Sequence, residues 1–245
     1  MRCLRTRTAL CASVAIAIVL GACASTGSTS AGTVVPSSST TAQTRPGGSR
    51  LTYAALGASE TYGIGANPIT NGYAYRLRDD LHLSGDAYAD VAIPGATLAD
   101  AFQTELTNAL AIRPSLCTVF FGVNDVRGRI PLAQFKSDLT DLVTTLIRAH
   151  AQVMIIGLPQ LADLPALRSA SSADLATLTE QWNTAIQAVA SATGARYLSL
   201  EPFSSELIAH PEEIAGDGLH PSNAGHARLA DVIFAALQSN GLVPR

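Results

Sequence analysis

The sequence from Leu51 onward predicts an α/β fold, a three-layer α/β/α sandwich around a five-stranded parallel sheet. Two observations predict this fold. Short apolar runs alternate with longer amphipathic segments along the chain, and no internal repeat interrupts the alternation. This pattern is typical of βαβ units, in which helices cover both faces of a parallel sheet. The total length of 245 residues fits one sizeable domain with accessory segments.

Strands are predicted where the short apolar runs occur. They are Leu51–Leu56, Tyr88–Ile93, Leu116–Phe121, Val153–Leu158 and Tyr197–Leu200. Helices are predicted for the amphipathic segments, namely Gly72–Leu83, Leu98–Leu110, Leu132–Ala149, Ser172–Thr193 and Ser222–Gln238. Three of them begin at residue types that favour helix N-termini, Pro131, Ser172 and Ser222, and Asn240-Gly241 is a stop signal for the last.

Residues 1–22 have the pattern of an export signal. Arginines without any acidic residue precede an apolar stretch from Ala9 to Leu20. The segment ends in Leu20-Gly21-Ala22-Cys23, which resembles the bacterial lipobox, so Cys23 is expected to be acylated and to become the new N-terminus. An ordinary secretory signal is the alternative. The expected product is exported and is held on the extracytoplasmic side of a membrane through its lipid anchor alone.

Residues 23–49 are predicted to form a flexible tether between the anchor and a domain that spans residues 50–245. Half of the residues in Ala24–Ser49 are Ser or Thr, and most of the others are Gly, Ala or Pro. Such a composition cannot bury enough apolar surface to offset the entropy of the chain. The catalytic residues are therefore expected in the domain.

Composition and charge exclude several classes of protein. With 47% hydrophobic and 14% charged residues, the chain is too apolar to be disordered as a whole. The formal net charge of −3 and the lack of a basic block argue against nucleic acid as a partner. Cys117 stands alone in an apolar run and is expected to be buried. No zinc-binding or nucleotide-binding motif occurs, so neither a metal nor a cofactor is expected.

Chemically useful side chains follow the predicted strands, at the edge where parallel sheets bind ligands. The segments are Gly57-Ala58-Ser59-Glu60, Pro94-Gly95-Ala96-Thr97, Gly122-Val123-Asn124-Asp125 and Asp217-Gly218-Leu219-His220-Pro221. Together they supply a hydroxyl, an imidazole, a carboxylate and amide donors, which acyl transfer through a serine nucleophile requires. Taken singly, each segment has a plainer interpretation as a helix cap or a turn.

In this order and at these spacings, the four segments resemble the sequence blocks of the SGNH (GDSL-type) hydrolases. The resemblance implies a flavodoxin-like sheet, the SGNH hydrolase fold, and an esterase or acylhydrolase. It implies Ser59 as the nucleophile, with His220 and Asp217 completing a catalytic triad. It also implies an oxyanion hole formed by Ser59, Gly95 and Asn124. The chemistry agrees, because ester cleavage needs a base beside the hydroxyl and fixed donors for the negative oxygen.

The first block departs from the family pattern, because it reads Gly-Ala-Ser-Glu in place of Gly-Asp-Ser-Leu. Ala58 cannot make the hydrogen bonds that an aspartate would make to its neighbours. Glu60 places a carboxylate beside the site, where it is expected to repel anionic substrates. Because the serine itself is retained, the departure is expected to affect rate and substrate preference more than the class of reaction.

The expected substrate is a small-molecule, lipid or glycan ester. A lipolytic or general short-chain esterase is the first interpretation, and a carbohydrate or cell-wall O-deacetylase is the second. A non-catalytic glycan- or lipid-binding lipoprotein is the alternative from another class. Pro159–Ala170, with Leu161, Leu164 and Leu167, is expected either to line an acyl pocket or flap or to pack its leucines on a helix. The sequence does not determine the oligomeric state.

Overall fold

The computed structural model describes residues 50–102, 104–168, 170–207 and 209–244. This part of the chain forms an α/β domain with helices on both sides of one sheet. The export signal of residues 1–22, the acylation site Cys23 and the tether of residues 23–49 lie outside the described residues. They therefore stay predictions.

A five-stranded parallel sheet forms the middle layer. Its strands are β1 (Tyr53–Gly57), β2 (Tyr88–Asp90), β3 (Leu116–Phe120), β4 (Gln152–Ile156) and β5 (Arg196–Leu198). The spatial order is β2-β1-β3-β4-β5, with every neighbouring pair parallel, which is the flavodoxin-like order. The central strands β1 and β3 are buried along their whole length, because helices cover both faces. The predicted fold class is confirmed.

Helices form the two outer layers. They are α1 (Ser59–Tyr62), α2 (Tyr73–Asp80), α3 (Leu98–Ala101), α4 (Glu105–Ala111), α5 (Val123–Arg127), α6 (Leu132–Arg148), α7 (Ser172–Thr193), α8 (Glu201–Leu207) and α9 (Asn223–Ser239). Helix α2 packs against α9, whereas α6 packs against α7, α3 and α4. The N-terminus of α9 is capped as predicted, since the Ser222 hydroxyl accepts hydrogen bonds from the Ala224 and Gly225 N–H groups (3.2 and 3.3 Å).

The predicted helix Leu98–Leu110 is wrong, because two helices replace it. A capping box between Thr97 and Asp100 begins α3. Thr104 has non-helical backbone angles (φ −133°, ψ −51°) and precedes the second helix, α4. Sequence periodicity misses this break because threonine is only slightly unfavourable in a helix.

Three short helices at the carboxyl edge of the sheet were not predicted. They are α1, α5 and α8, with 4, 5 and 7 residues, too short for an amphipathic period to be detected. Helices α1 and α5 begin directly after β1 and β3, so they place two of the four polar segments at this edge. No described helix is both long enough and apolar enough to cross a lipid bilayer.

Candidate active site

Ser59 lies at the carboxyl end of β1, as the first residue of α1. The chain turns tightly here. A Cβ atom on Gly57 would come within 2.1 Å of Thr61 Oγ1 and 2.8 Å of the Phe120 carbonyl oxygen, so only glycine fits. The first residue of a helix has a backbone N–H without a partner inside the helix. The turn therefore presents both the Ser59 hydroxyl and the Ser59 N–H at one point.

Ser59 is 8% exposed, and its hydroxyl donates a 3.3 Å hydrogen bond to Glu60 Oε2. Within the described residues, no hydrogen bond joins Ser59 to His220. The two blocks nevertheless face each other, because Glu60 and His220 line the same cavity. Glu60, one of the residues at which the first block departs from the family pattern, thus contacts the predicted nucleophile directly.

Asp217 and His220 form a close pair in the loop before α9. Asp217 Oδ2 accepts a 2.5 Å hydrogen bond from His220 Nδ1. Asp217 Oδ1 accepts hydrogen bonds from the backbone N–H groups of Leu219 (2.9 Å) and His220 (3.0 Å). Burial raises the pKa of Asp217, but these hydrogen bonds outweigh burial and hold it below its ordinary value. The ionised carboxylate keeps the proton on Nδ1, which leaves Nε2 free to accept one.

Gly95 lies in the loop that follows β2, and Asn124 lies in the short helix that follows β3. Gly95 has a φ of +84°, a left-handed conformation that glycine adopts without strain. Asn124 is the second residue of α5, and its Nδ2 donates a 3.0 Å hydrogen bond to the Ala96 carbonyl oxygen. This contact ties the Asn124 side chain to the loop that carries Gly95. One amide hydrogen of Asn124 is left for a substrate.

Asp125 holds two of the polar segments together, a role that the sequence did not reveal. Its Oδ1 accepts a 3.0 Å hydrogen bond from the backbone N–H of Leu98, at the start of α3. The side chain is buried, and burial raises the pKa of Asp125 above its ordinary value. The plainer interpretation of Asn124-Asp125 as an isolated turn misses this contact, which joins residues far apart in the sequence.

Glu105 is a second buried carboxyl group that sequence analysis missed. It is 0% exposed, and its Oε2 accepts a 3.0 Å hydrogen bond from the backbone N–H of Gly57. The other oxygen, Oε1, is buried and has no hydrogen-bond partner among the described residues. Burial raises the pKa of Glu105 to about 8. No local motif marks this position, since the contact spans 48 residues.

A narrow cavity of about 30 Å³ opens beside His220. Its walls are mainly apolar and include Phe120, Val123, Pro159, Leu164, Leu200, Phe203, Ile214, Leu219 and Leu229. Leu164 comes from the segment expected either to line a pocket or to pack on a helix, and it does line the cavity. Leu164 and Leu161 are also buried in the core, and Leu167 packs against it. The segment is attached to the loop of His220, because the Ala166 N–H donates to the Gly218 carbonyl oxygen (2.9 Å).

His226, the second histidine of this region, has a structural role. It is buried, its Nδ1 accepts a hydrogen bond from the Tyr73 N–H (3.2 Å), and its Nε2 hydrogen-bonds to the Ile64 carbonyl oxygen (3.0 Å). Burial lowers the pKa of His226, which keeps the ring neutral. Cys117 is buried, as predicted, and it forms no disulfide bond with another described residue. In the part of the chain that is described, no cluster of three or more His, Cys, Asp or Glu side chains could hold a metal ion.

Solved structures with the same fold include several esterases. TesA superposes with a TM-score of 0.61 at 21% identity, over 77% of this chain and 98% of that one. An acetylxylan esterase from Geobacillus stearothermophilus gives a TM-score of 0.62 at 18% identity, over 77% and 94% of the two chains. The psychrotrophic esterase EstA from Pseudoalteromonas sp. gives 0.60 at 17% identity, over 77% and 97%. At these identities the likeness shows the fold, which is that of the SGNH hydrolases.

Sequence comparison identifies the family. A comparison with curated protein sequences gives no match. Residues 55–228, which contain all four polar segments of the sheet edge, match the sequence model of the GDSL-like lipase/acylhydrolase family. The match covers well over half of the 245 residues. The chain therefore belongs to the GDSL-like lipase/acylhydrolase family and is an ester-bond hydrolase.

Proposed function

We propose that the protein is a serine esterase that cleaves carboxylic esters through an acyl-enzyme intermediate. In this proposal Ser59 is the nucleophile, His220 is the general base and Asp217 orients the imidazole. The observation that carries it is the 2.5 Å hydrogen bond between Asp217 Oδ2 and His220 Nδ1. His220 lines the same cavity as Glu60, the residue next to Ser59. Such a pair fixes the tautomer that a general base needs.

The reaction begins when the Ser59 hydroxyl turns from Glu60 toward His220 Nε2, which is the unprotonated ring nitrogen. Nε2 takes the hydroxyl proton as Oγ attacks the ester carbonyl carbon. The backbone N–H groups of Ser59 and Gly95 and the Asn124 amide stabilise the negative oxygen of the tetrahedral intermediate. Its collapse breaks the ester bond, and the leaving alcohol takes the proton from Nε2. A water molecule then hydrolyses the acyl-enzyme by the same route.

The dimensions of the cavity favour short acyl groups. A volume of about 30 Å³ accommodates one or two water molecules, or a group such as the acetyl methyl. A fatty acyl chain exceeds this volume, so most of it would extend beyond the cavity. Glu60 adds a carboxylate to the same wall, which disfavours anionic acyl groups by charge repulsion. Of the two substrate ranges left open by the sequence, these features favour the shorter.

A carbohydrate O-deacetylase is the second candidate, and a polar groove next to the cavity favours it. The groove has a volume of about 490 Å³ and is lined by Gln160, Gln187 and Tyr197, among others. It adjoins the cavity, because Pro159 lines the cavity while its two sequence neighbours line the groove. Amide and hydroxyl side chains of this kind donate and accept hydrogen bonds, as sugar hydroxyls require. Acetylxylan esterases are among the proteins with the same fold.

Hydrolysis of p-nitrophenyl esters from acetate to palmitate tests the proposal. We expect kcat/KM to be highest for acetate or propionate and to fall by about 10-fold or more for long chains, because each misfit methylene weakens transition-state binding. A preference for palmitate would contradict the short-acyl assignment. Activity no higher than that of Ser59→Ala on every ester would contradict catalysis by this site. Acetate release from acetylated xylo-oligosaccharides at a higher kcat/KM than from p-nitrophenyl acetate would support the deacetylase.

Replacement of Asn124 by alanine is expected to lower kcat by ~10²–10³-fold while KM changes little, because one oxyanion donor is lost. Steady-state kinetics on p-nitrophenyl acetate measure both constants. The matched control is Asn240→Ala, since the Asn240 amide also donates to a backbone carbonyl oxygen but lies at the exposed end of α9. Equal kcat values for the Asn124 variant and the wild type would show that Asn124 does not stabilise the oxyanion.

We also propose that the enzyme is exported and anchored through acylated Cys23, with residues 24–49 as the tether. The support is the charge and hydropathy pattern of residues 1–23. Growth with a labelled fatty acid should label the wild type but not a Cys23→Ala variant, and an inhibitor of lipoprotein signal peptidase should cause the precursor to accumulate. Release of an unlabelled wild-type protein into the medium would support ordinary secretion instead.

A further inference from the structure

A buried carboxyl group contacts the backbone of the nucleophile turn, which we define as residues 57–59. This group belongs to Glu105, the first residue of α4. Its side chain is fully buried, and its Oε2 accepts the Gly57 N–H at 3.0 Å. Burial of a carboxyl group is unfavourable unless its oxygens are hydrogen-bonded. An apolar side chain would fill the same position without that cost, so the contact with Gly57 is the distinctive property of Glu105.

The nucleophile turn has no carboxylate of its own. Where the family's first block has an aspartate, this chain has Ala58, which is 4% exposed and carries only a methyl group. Ala58 also precedes α1 without any side-chain cap. Among the described residues, Glu105 is the only side chain that hydrogen-bonds to the backbone of residues 57–59. The nucleophile turn thus receives a carboxyl contact from another element, α4.

Gly57 connects the nucleophile turn to the loop that carries Gly95. Its carbonyl oxygen accepts a 3.2 Å hydrogen bond from the Ile93 N–H, two residues before Gly95. Its own N–H is held by Glu105. The peptide groups on both sides of Gly57 are therefore fixed, one by a side chain and the other by the neighbouring loop. The Ile93 contact ties the turn that carries the Ser59 N–H to the loop that carries the Gly95 N–H, and these are two of the proposed oxyanion donors.

We propose that Glu105 is a positioning residue for ester hydrolysis, which holds the nucleophile turn through Gly57 and so replaces the aspartate absent at position 58. The proposal rests on the function proposed above, because it takes Ser59 as the nucleophile. Glu105 contacts neither the substrate nor the reacting atoms. It acts on the rate because small displacements of preorganised donors weaken the stabilisation of a developing oxyanion.

The ionisation of Glu105 gives the positioning role a signature in the pH profile. Its pKa is raised by burial to about 8, so the carboxyl group is neutral at neutral pH and still accepts the Gly57 N–H. The acidic groups that face it are Asp90, whose own pKa burial raises to about 7, and Asp100. In their ionised forms both favour the neutral form of Glu105. As the pH rises through about 8, Glu105 becomes a carboxylate next to the nucleophile turn. Its negative charge opposes the negative oxygen that the Ser59 N–H is proposed to stabilise. We therefore expect kcat to fall over that range.

The experiment compares two variants of similar volume, Glu105→Gln and Glu105→Met. Glutamine retains an oxygen acceptor for Gly57, whereas methionine fills the space without one. With p-nitrophenyl acetate we expect the Gln variant to keep kcat within about 3-fold of the wild type, and the Met variant to lose about 10–100-fold in kcat with little change in KM. The decline of kcat above pH about 8 should disappear in the Gln variant.

The control for a general loss of stability is Leu139→Ala, which removes a fully buried side chain of α6. We expect this variant to unfold more readily but to keep its kcat. A folded Met variant with wild-type kcat would overturn the proposal. If the Met variant does not fold, the Gln variant decides: loss of the alkaline decline supports the proposal, and an unchanged profile overturns it. Ser59→Ala separates the two proposals, since its full activity would overturn the proposed function itself.

Discussion

Replacement of Ser59 by alanine is expected to lower kcat/KM for p-nitrophenyl acetate by on the order of 10⁴-fold or more, while the protein stays folded. In the proposed mechanism the Ser59 hydroxyl oxygen forms the acyl-enzyme, and alanine has no such oxygen. The change should leave stability nearly intact, because among the described residues the Ser59 side chain makes one hydrogen bond, the 3.3 Å contact with Glu60, worth about 1 kcal/mol. Kinetics and thermal unfolding of the same preparations measure the two effects.

The matched control for this prediction is Ser191→Ala. Ser191 lies on the exposed side of α7, and its hydroxyl likewise makes a single hydrogen bond, to the Gln187 carbonyl oxygen (2.9 Å). We expect its activity to equal that of the wild type. If Ser59→Ala kept most of the wild-type activity, Ser59 would not be the nucleophile, and the hydrolysis would need another site.

Replacement of Asp217 by asparagine is expected to lower kcat by ~10²–10⁴-fold, because the amide no longer favours the tautomer with the proton on Nδ1 of His220. The variant should fold, since the asparagine oxygen can still accept the backbone N–H groups of Leu219 and His220. His220→Ala removes the proposed base, and we expect a loss as large as that of Ser59→Ala. The measurement is kcat and KM on p-nitrophenyl acetate.

The chain contains a second acid–histidine pair that serves as the control. Glu212 Oε1 lies 3.1 Å from His210 Nδ1, and both side chains are exposed. Glu212→Gln makes the same carboxylate-to-amide change in a pair outside the cavity and should leave kcat unchanged. Similar losses in the Glu212 and Asp217 variants, or none in Asp217→Asn, would show that the Asp217–His220 pair does not orient a catalytic base.

The sequence predicts the sheet and the position of the polar segments well, for a physical reason. Buried parallel strands such as β3 are continuous apolar runs, and in a parallel sheet the residues after each strand meet at one edge. Ser59 and Asn124 could therefore be assigned to the same edge without knowledge of side-chain contacts. Asp217 and His220 are three residues apart, so their proximity is a local property of one loop.

What the sequence could not predict depends on contacts between distant segments. Glu105 reaches Gly57 across 48 residues, and Asp125 reaches Leu98 across 27. The break between α3 and α4, which precedes Glu105, has no strong helix-breaking residue to mark it. The contact of the Ser59 hydroxyl with Glu60 depends on a rotamer, which the sequence does not specify.

The central claim is that Ser59 is the nucleophile and that its Oγ atom carries the acyl group in the acyl-enzyme. Covalent labelling tests this claim most directly. A small fluorophosphonate reacts with an activated serine and leaves a stable phosphonyl group on Oγ. We expect one adduct per molecule by intact mass, with peptide mapping to Ser59, full loss of esterase activity, and no adduct on Ser59→Ala. An active wild-type enzyme that remains unlabelled, or that carries its adduct on another residue while losing activity, would contradict the account.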